Sequence, residues 1–451
     1  MLNACCLYNA TIINEGLSMQ GSLFIADGLI HDVVPASPQQ PQTPPGYAVI
    51  DATGKWVMPG VIDTHVHFRE PGATHKACIA AETRAAAAGG VTAFIDMPNT
   101  LPPATTIDAI DDKFRRAATD SLINYSFYMG ATTDNLDQIR RMDTRRIGGV
   151  KLFLASSTGQ LLVDDRYALE ALFAETPALI AAHCEDETIV QRNLETFRKR
   201  YGYDLTAASH PLIRSEEACL RSTERAMNLA AKYGTQLHLL HVSTAKEAAL
   251  FTGRGATTAE ACIPHLWFYD EAYDRLSHFV KCNPAIKTLT DREALRKAVA
   301  GGRITTVATD HAPHTRSEKQ QPYLHAPSGM PSIQYALPLM LELCRDGLWT
   351  PETVVERMCH APARRFGIAR RGFLRKGYHA DVVIVDPERP QTITHAGVRS
   401  TCGWTPYDGL TLATSVTHTF VNGEPVFENG RIIDHATGAM ALAFESKRSL
   451  E

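Results

Sequence analysis

Apolar positions in this chain fall into short runs whose period changes along its length. Residues 7–13 read as a strand, and 22–34 as two strands folded back at Asp27-Gly28, a dipeptide suited to a tight hairpin turn. A loop rich in Pro and Gln, 38–45, interrupts this pattern, and strand character resumes over 49–57. From there, strand-length apolar runs alternate with helical stretches. The run 57–62 comes first, then a helix over 77–88 closed by Gly89-Gly90, then a strand over 91–95. Further strands fit 123–128, 149–154, 178–182, 236–240 and 304–308, with 215–233 and 291–300 among the helices between them. The β pattern returns over 380–386 and over 416–427, which carries Asn422-Gly423 as a hairpin turn, with Asn429-Gly430 beyond it.

Alternating β and α over about 300 residues is the pattern of a (β/α)₈ TIM barrel. A doubly wound sheet is the structural rival, but no G-x-G-x-x-G or Walker loop favours it. The β-rich ends suggest a small β-sandwich domain formed by both termini. Segments 1–56 and 373–451 would build it around a barrel of 57–372. A length of 451 residues suits a barrel with such an appendage.

Composition narrows the function classes. Hydrophobic residues at 44% and charged residues at 21% describe a globular protein with a large core. A net charge of −4 gives no electrostatic case for nucleic acid or an anionic membrane. The basic run Arg364-Arg365, Arg370-Arg371, Arg375 and Lys376 reads as a solvated helix end and loop. No apolar stretch reaches the ~18 residues needed to span a bilayer, and the N-terminus lacks the pattern of a signal peptide. Ten scattered cysteines without a C-x-x-C point to reduced, mostly buried thiols in a cytoplasm.

The chemistry gathers where strands end. In a strand, side chains alternate, so His65 and His67 share a face and can grip one ion together. Asn99, Lys151, His183, His241, and Asp310 with His311 and His314 likewise follow apolar runs. In a barrel, these strand ends converge on one mouth, where four histidines and a carboxylate form a divalent metal site. An ammonium with a pKa of ~10.4 cannot ligate a metal, so Lys151 stands apart. His31, His75, His210, His238, His325, His360, His379 and His418 lack this setting and read as structural or surface residues.

Several motifs together carry a resemblance: Asp63-Thr64-His65-Val66-His67-Phe68-Arg69-Glu70-Pro71-Gly72, Met97-Pro98-Asn99-Thr100, Lys151-Leu152-Phe153, His183-Cys184-Glu185-Asp186, His241-Val242-Ser243-Thr244, Cys282-Asn283-Pro284, and Thr309-Asp310-His311-Ala312-Pro313-His314. On these the chain resembles the cyclic amidohydrolases, and most closely the class I dihydroorotases, from about Pro59 to Ala380-Asp381. The resemblance implies two Zn²⁺ ions per chain. His65, His67 and Asp310 would hold one, and His183 and His241 the other. Lys151, as N6-carboxylysine, would bridge both, although some members of the class carry aspartate at that place. It implies reversible hydrolysis of dihydroorotate to N-carbamoyl-L-aspartate, the ring closure serving pyrimidine synthesis. Two metals sharing one water would lower its pKa, and Asp310 would be the general base in hydrolysis and the acid in return. Arg69 would grip the substrate carboxylate with Asn99 and His314. Asn283 would meet the polar edge of the ring. Ser328 and Gly329 would supply backbone contacts, in a Ser328-Gly329-Met330-Pro331 segment that departs from the class's usual sequence.

The segment 315–330 fits a partial lid and a plain connecting loop equally well. A homo-oligomer, a dimer for instance, is the expected assembly. Two other readings stand beside dihydroorotase. One is an allantoinase or dihydropyrimidinase with the same metal ligands and a different ring. The other is a metal-free scaffold partner of a carbamoyltransferase, which the full ligand set argues against.

Overall fold

The computed structural model describes residues 4–36, 44–155, 161–434 and 438–445. Most of the Pro- and Gln-rich loop expected over 38–45 therefore lies outside the described residues. Five strands precede the barrel: β1 (Ala4–Asn14), β2 (Leu17–Ala26), β3 (Leu29–Pro35), β4 (Ala48–Asp51) and β5 (Trp56–Pro59). The β2–β3 turn falls at Asp27-Gly28, where φ is +51° and +75°, as a two-residue hairpin turn requires.

The barrel strands are β6 (Val61–Val66), β7 (Val91–Asp96), β8 (Asn124–Gly130), β9 (Gly149–Phe153), β10 (Ile180–His183), β11 (Leu237–Leu239), β12 (Thr257–Cys262) and β13 (Thr306–Ala308). They pair in chain order in one eight-stranded parallel sheet. The His67 N–H closes the ring by donating to His311 O at 2.8 Å, beside a parallel bridge from Val66 to His311. Sequential order with closure is the TIM barrel and excludes the doubly wound alternative. One barrel strand, β12, escaped the sequence reading. Its sequence, Thr-Thr-Ala-Glu-Ala-Cys, has no branched aliphatic run and a glutamate at its centre, yet all but its first residue are buried.

After the barrel come β14 (Val382–Asp386), β15 (Gln391–Thr392), β16 (Thr411–Leu412), β17 (Ser415–Val421), β18 (Glu424–Glu428) and β19 (Arg431–Ile432). The strands from both ends of the chain join into one nine-stranded sheet of order β19-β18-β17-β14-β5-β1-β2-β3, with β4 beside β1. Under it lies a separate core that includes Leu7, Ile12, Leu23, Val57, Ile384 and Phe420. The apolar run 57–62 is shared between the two sheets and divides at Gly60. There a Cβ would lie 2.1 Å from Thr92 Oγ1, so no other residue fits without displacement.

Two segments beyond the barrel return to it. Leu442 and Phe444 pack with Ile62, Ala93, Ile95 and Tyr128 of the barrel strands. Trp404 and Tyr407 are fully buried; Trp404 Nε1–H donates to His314 O at 2.7 Å, and Tyr407 stacks on Phe268. The basic run is less solvated than its composition suggested. Arg371 is buried against Asp381 and Asn422, and Arg365 donates to the carbonyls of Leu237 and Ala256 at 2.8 Å. All ten cysteines are free thiols, eight of them buried.

Candidate metal centre and substrate cleft

Of the thirteen residues singled out from the sequence, eleven line one polar cleft at the C-terminal ends of the barrel strands, joined by Phe153 and Ala312. The exceptions are His314, which lies one layer behind, and His311. His311 Nε2 meets the buried Glu82 at 2.8 Å, while its Nδ1 accepts from Ser332 N–H at 3.0 Å. It braces the wall and does not face the cleft.

His65 lies near the end of β6 and His67 just beyond it, on one face as strand alternation demands, and Asp310 follows β13. Asp310 Oδ1 lies 3.4 Å from His65 Nε2 and 3.2 Å from His67 Nε2. Each ring is set by a buried oxygen at its other nitrogen. His65 Nδ1 donates to Glu260 Oε1 at 2.7 Å, and His67 Nδ1 donates to Asn99 Oδ1 at 2.7 Å. Those bonds fix the tautomers so that both Nε2 lone pairs converge beside the carboxylate, the support that metal-binding histidines use. The three ligand atoms lie within 4.8 Å of one another. Burial pushes the His67 pKa down to about 4, so its ring is neutral and able to ligate. Burial alone would raise the Asp310 pKa, but the two histidines beside it, His65 and His67, outweigh that and hold the carboxyl well below its usual range.

On the other side, His183 Nε2 donates to Glu185 Oε2 at 2.9 Å, and Glu185 is ion-paired with Arg214. His183 Nδ1 then faces His241 Nε2 at 2.9 Å, with the rings nearly perpendicular at 85°. Burial lowers the pKa of both rings; with His183 Nδ1 as acceptor, His241 Nε2–H donates across this contact, and moving that proton to His241 Nδ1 would leave two ring nitrogens facing one point. This half of the site offers two ring nitrogens and no anionic donor. Lys151 occupies the remaining wall, 1% exposed, with Nζ 4.4 Å from the centre of the Phe153 ring. Burial brings its pKa down to about 8, which makes free amine accessible near neutral pH. The donor set thus suits divalent cations: one complete His₂Asp group, and a His₂ pair completed only if Lys151 carries a carboxylate.

Arg69 is 4% exposed and holds φ at +62°; burial lowers its pKa to about 10, so the guanidinium stays charged. Its Nε donates to Pro313 O at 3.1 Å. Its Nη2 lies 3.1 Å from His314 Nε2. That contact is poor, because His314 Nδ1 faces the ammonium of Lys76 at 3.2 Å and must be the acceptor. His314 Nε2 then carries the proton and donates to Ser328 O at 3.1 Å, leaving the Arg69 fork without an acceptor there. Asn283 Oδ1 accepts from His210 Nε2 at 3.0 Å, so buried His210, which read as structural or surface, orients a cleft residue. Gly329 has φ +134°, and a Cβ on it would meet Ala312 O at 2.5 Å. The segment 315–330 is a built wall: a capping box at Thr315 and Glu318 opens a short helix, Arg316–Lys319, and buried lysines tie the rest.

Sequence reasoning quoted Glu185 without a role and missed Glu260 altogether. Both are fully buried carboxylates behind ligand histidines. Glu185 lies two residues beyond His183, the last residue of β10, and its carboxylate folds back onto the His183 ring.

The model of the amidohydrolase family matches residues 56–426, from the last strand of the N-terminal segment through the barrel and beyond it. The chain belongs to the amidohydrolase family. A dihydroorotase from Halobacterium salinarum is 37% identical over 367 residues, covering 81% of this chain and 85% of that protein. An allantoinase from Rubrobacter xylanophilus is 30% identical over 440 residues, covering 95% and 96%. Among solved structures, the L-hydantoinase (dihydropyrimidinase) from Arthrobacter aurescens superposes with a TM-score of 0.91 at 26% identity, over 97% of this chain and 99% of that one. The fold and the family are therefore shared across enzymes named for different substrates. Among the described residues no helix is long and apolar enough to cross a membrane.

Proposed function

We propose that this chain is a dihydroorotase, hydrolysing dihydroorotate reversibly to N-carbamoyl-L-aspartate at a two-zinc centre. The observation that carries the substrate choice is Arg69. It is a buried, charged fork at the cleft with no carboxylate among the described residues within 4.0 Å, and one of its donors faces a nitrogen that already carries a proton. A charge in that position needs an anionic ligand. Dihydroorotate brings a carboxylate; the rings of allantoin, hydantoin and dihydrouracil do not.

His65, His67 and Asp310 would hold one ion, and His183, His241 and the carboxylated Lys151 the other, with Lys151 shared. Bound there, the ions supply the Lewis acidity that lets a water ionise near neutral pH and that polarises a carbonyl. Asp310, ionised by its histidine neighbours, accepts the water's proton as the ring carbonyl is attacked. It then delivers that proton to the departing ring nitrogen; ring closure runs the same transfers backwards. Asn99 serves twice, fixing His67 through Oδ1 and lining the cleft. His314 backs Arg69, and Asn283, Ser328 and Gly329 face the ring. The low pKa of Lys151 supports carbamate formation, which needs the neutral amine.

The test is a substrate panel on purified, zinc-loaded protein: dihydroorotate, allantoin, hydantoin and dihydrouracil, with zinc content measured in parallel. Turnover of dihydroorotate at least ~100-fold above the neutral rings is expected. Preference for allantoin would replace this reading with that of the Rubrobacter relative, and absence of bound metal would end the mechanism.

A further inference from the structure

The wall of the cleft beside Arg69 contains two more buried cations with no established part in the chemistry. Lys319, fully buried, places Nζ 2.8 Å from Gly329 O, 2.9 Å from Pro327 O and 3.1 Å from Lys281 O. Three acceptors around one nitrogen call for three N–H bonds, which only the ammonium form has. Burial, with Lys281 close by, pushes the Lys319 pKa well below the usual lysine value, but the three carbonyls hold the charged form. Lys281 is the second cation, 7% exposed, with Nζ 2.7 Å from Tyr323 O and 2.6 Å from Ala326 O. Its own carbonyl accepts from both Lys319 and Gly329 N–H, the latter at 2.8 Å. The lysine pair therefore ties the 281–283 segment of the wall to Ser328-Gly329, and Asn283, Ser328 and Gly329 face the cleft.

No carboxylate among the described residues lies within 4.0 Å of Lys281, Lys319 or Arg69; the nearby Glu318 is paired with Lys76 at 2.7 Å. Three buried cations on one side of a cleft, solvated mainly by carbonyl dipoles and, at Lys281, by the face of the Tyr323 ring 4.2 Å away, are costly to hold as a mere loop staple. A methionine or leucine would pack a loop there without that desolvation. Their charge acts across a low-dielectric wall, where it is felt more strongly than in water.

We propose that Lys319 is a positioning and specificity-determining residue: its buried ammonium, with Lys281, makes the Ser328–Gly329 side of the cleft selective for a carboxylate-bearing ring over a neutral ring of the same size. Lys319 does not touch the ligand. It holds Gly329 in place and adds to the field that the Arg69 fork presents. This inference deepens the dihydroorotase reading and rests on it for the identity of the anionic ring.

The experiment measures binding of orotate and of uracil, which differ by the carboxylate, to zinc-loaded wild type, Lys319→Met, Lys319→Gln and Lys281→Met by calorimetry. Melting curves establish folding, and dihydroorotate turnover is read in parallel. Wild type should prefer orotate, and both Lys319 variants should lose at least tenfold of the orotate-to-uracil ratio. Lys281→Met should shift it the same way by a smaller factor. A folded Lys319 variant that binds both rings more weakly by the same factor, or neither more weakly, overturns the proposal. If neither Lys319 variant folds, Lys281→Met decides by the same criterion, and a wild type with no preference for orotate overturns the proposal without any variant. Turnover separates the two readings. Protein that prefers orotate but does not hydrolyse dihydroorotate sinks the function and spares the charge device, and the reverse result spares the function alone.

Discussion

Replacing Glu260 tests how the histidine cluster is held. Its Oε1 lies 2.7 Å from His65 Nδ1 and 3.3 Å from the His241 backbone N–H, and its Oε2 lies 3.3 Å from Thr64 Oγ1. Burial would raise the Glu260 pKa, but the adjacent His65 and its hydrogen bond outweigh it and keep the carboxyl below its usual range. Glu260→Gln preserves the shape: the amide oxygen can still accept from His65, and the amide N–H can donate to Thr64. What disappears is the negative charge that makes His65 Nε2 a better donor to a cation. Losing a partner of this kind typically weakens metal binding by about 10–100-fold, roughly 1.4–2.7 kcal/mol. Gln should fall near the lower end of that range. Glu260→Ala, which also leaves the Nδ1–H unpaired in a buried site, should reach the upper end or beyond it. Zinc affinity measured against a competing chelator, with circular dichroism as a folding control, reads the difference directly. Wild-type affinity in a folded Glu260→Gln protein would refute the orientation argument for His65.

Asp310→Asn, shown to retain its zinc, should lose at least ~100-fold in turnover in both directions while orotate affinity changes less; near-normal rates would remove Asp310 as the proton carrier. Lys151→Ala should lose activity and about one of two zinc equivalents, and native mass spectrometry of the wild type should show the added carbon dioxide; an active, two-zinc protein with unmodified lysine would overturn the carbamate. Acidification should destabilise the fold through its buried histidines. Burial lowers His265 to about 4 and His238 to about 3, so between pH 6 and pH 4 the unfolded chain, with histidines near 6.5, binds a proton at each that the native state does not. Stability therefore rises with pH through this window. Burial raises Asp63 to about 6, which contributes one proton of opposite sign. A net slope of at least ~1.4 kcal/mol per pH unit remains, readable from urea midpoints, and flat stability from pH 6 to 4 would contradict it.

Seven of the eight barrel strands were legible as apolar runs, and the eighth was not, for a reason that bears on function. Glu260 breaks the hydrophobic pattern of β12 because the strand delivers a carboxylate to His65, and chemistry overrode periodicity there. The cleft residues proposed as ligands were legible because they sit at or near strand ends, where local sequence and fold agree. The supporting residues were not. His210 meets Asn283 across 73 positions, Lys319 meets Lys281 across 38, and Trp404 reaches His314 across 90. No local pattern encodes such pairs, and a lysine or histidine in a loop reads as surface until the fold buries it.

The deepest layer concerns the backbone. Arg69, His241 and Asp310 all have positive φ, +62°, +38° and +46°, in a region that costs non-glycine residues about 1 kcal/mol or more. Each is held by a buried acid bonded to backbone N–H at that residue or beside it. Asp96 accepts from Phe68 N–H at 2.8 Å, next to Arg69. Glu260 accepts from His241 N–H at 3.3 Å, and Asp63 accepts from Thr309 N–H at 3.2 Å, just before Asp310. Asp96 is in turn neutralised by buried Lys113, and Asp63 is bonded by Thr309 Oγ1–H at 2.6 Å. The strain that turns these three side chains into the cleft is therefore paired, site by site, with a carboxylate that a regular strand would leave without a partner. Three acids in apolar strands look like interruptions of the barrel pattern. They hold the strand ends where Arg69, His241 and Asp310 turn inward at the same mouth.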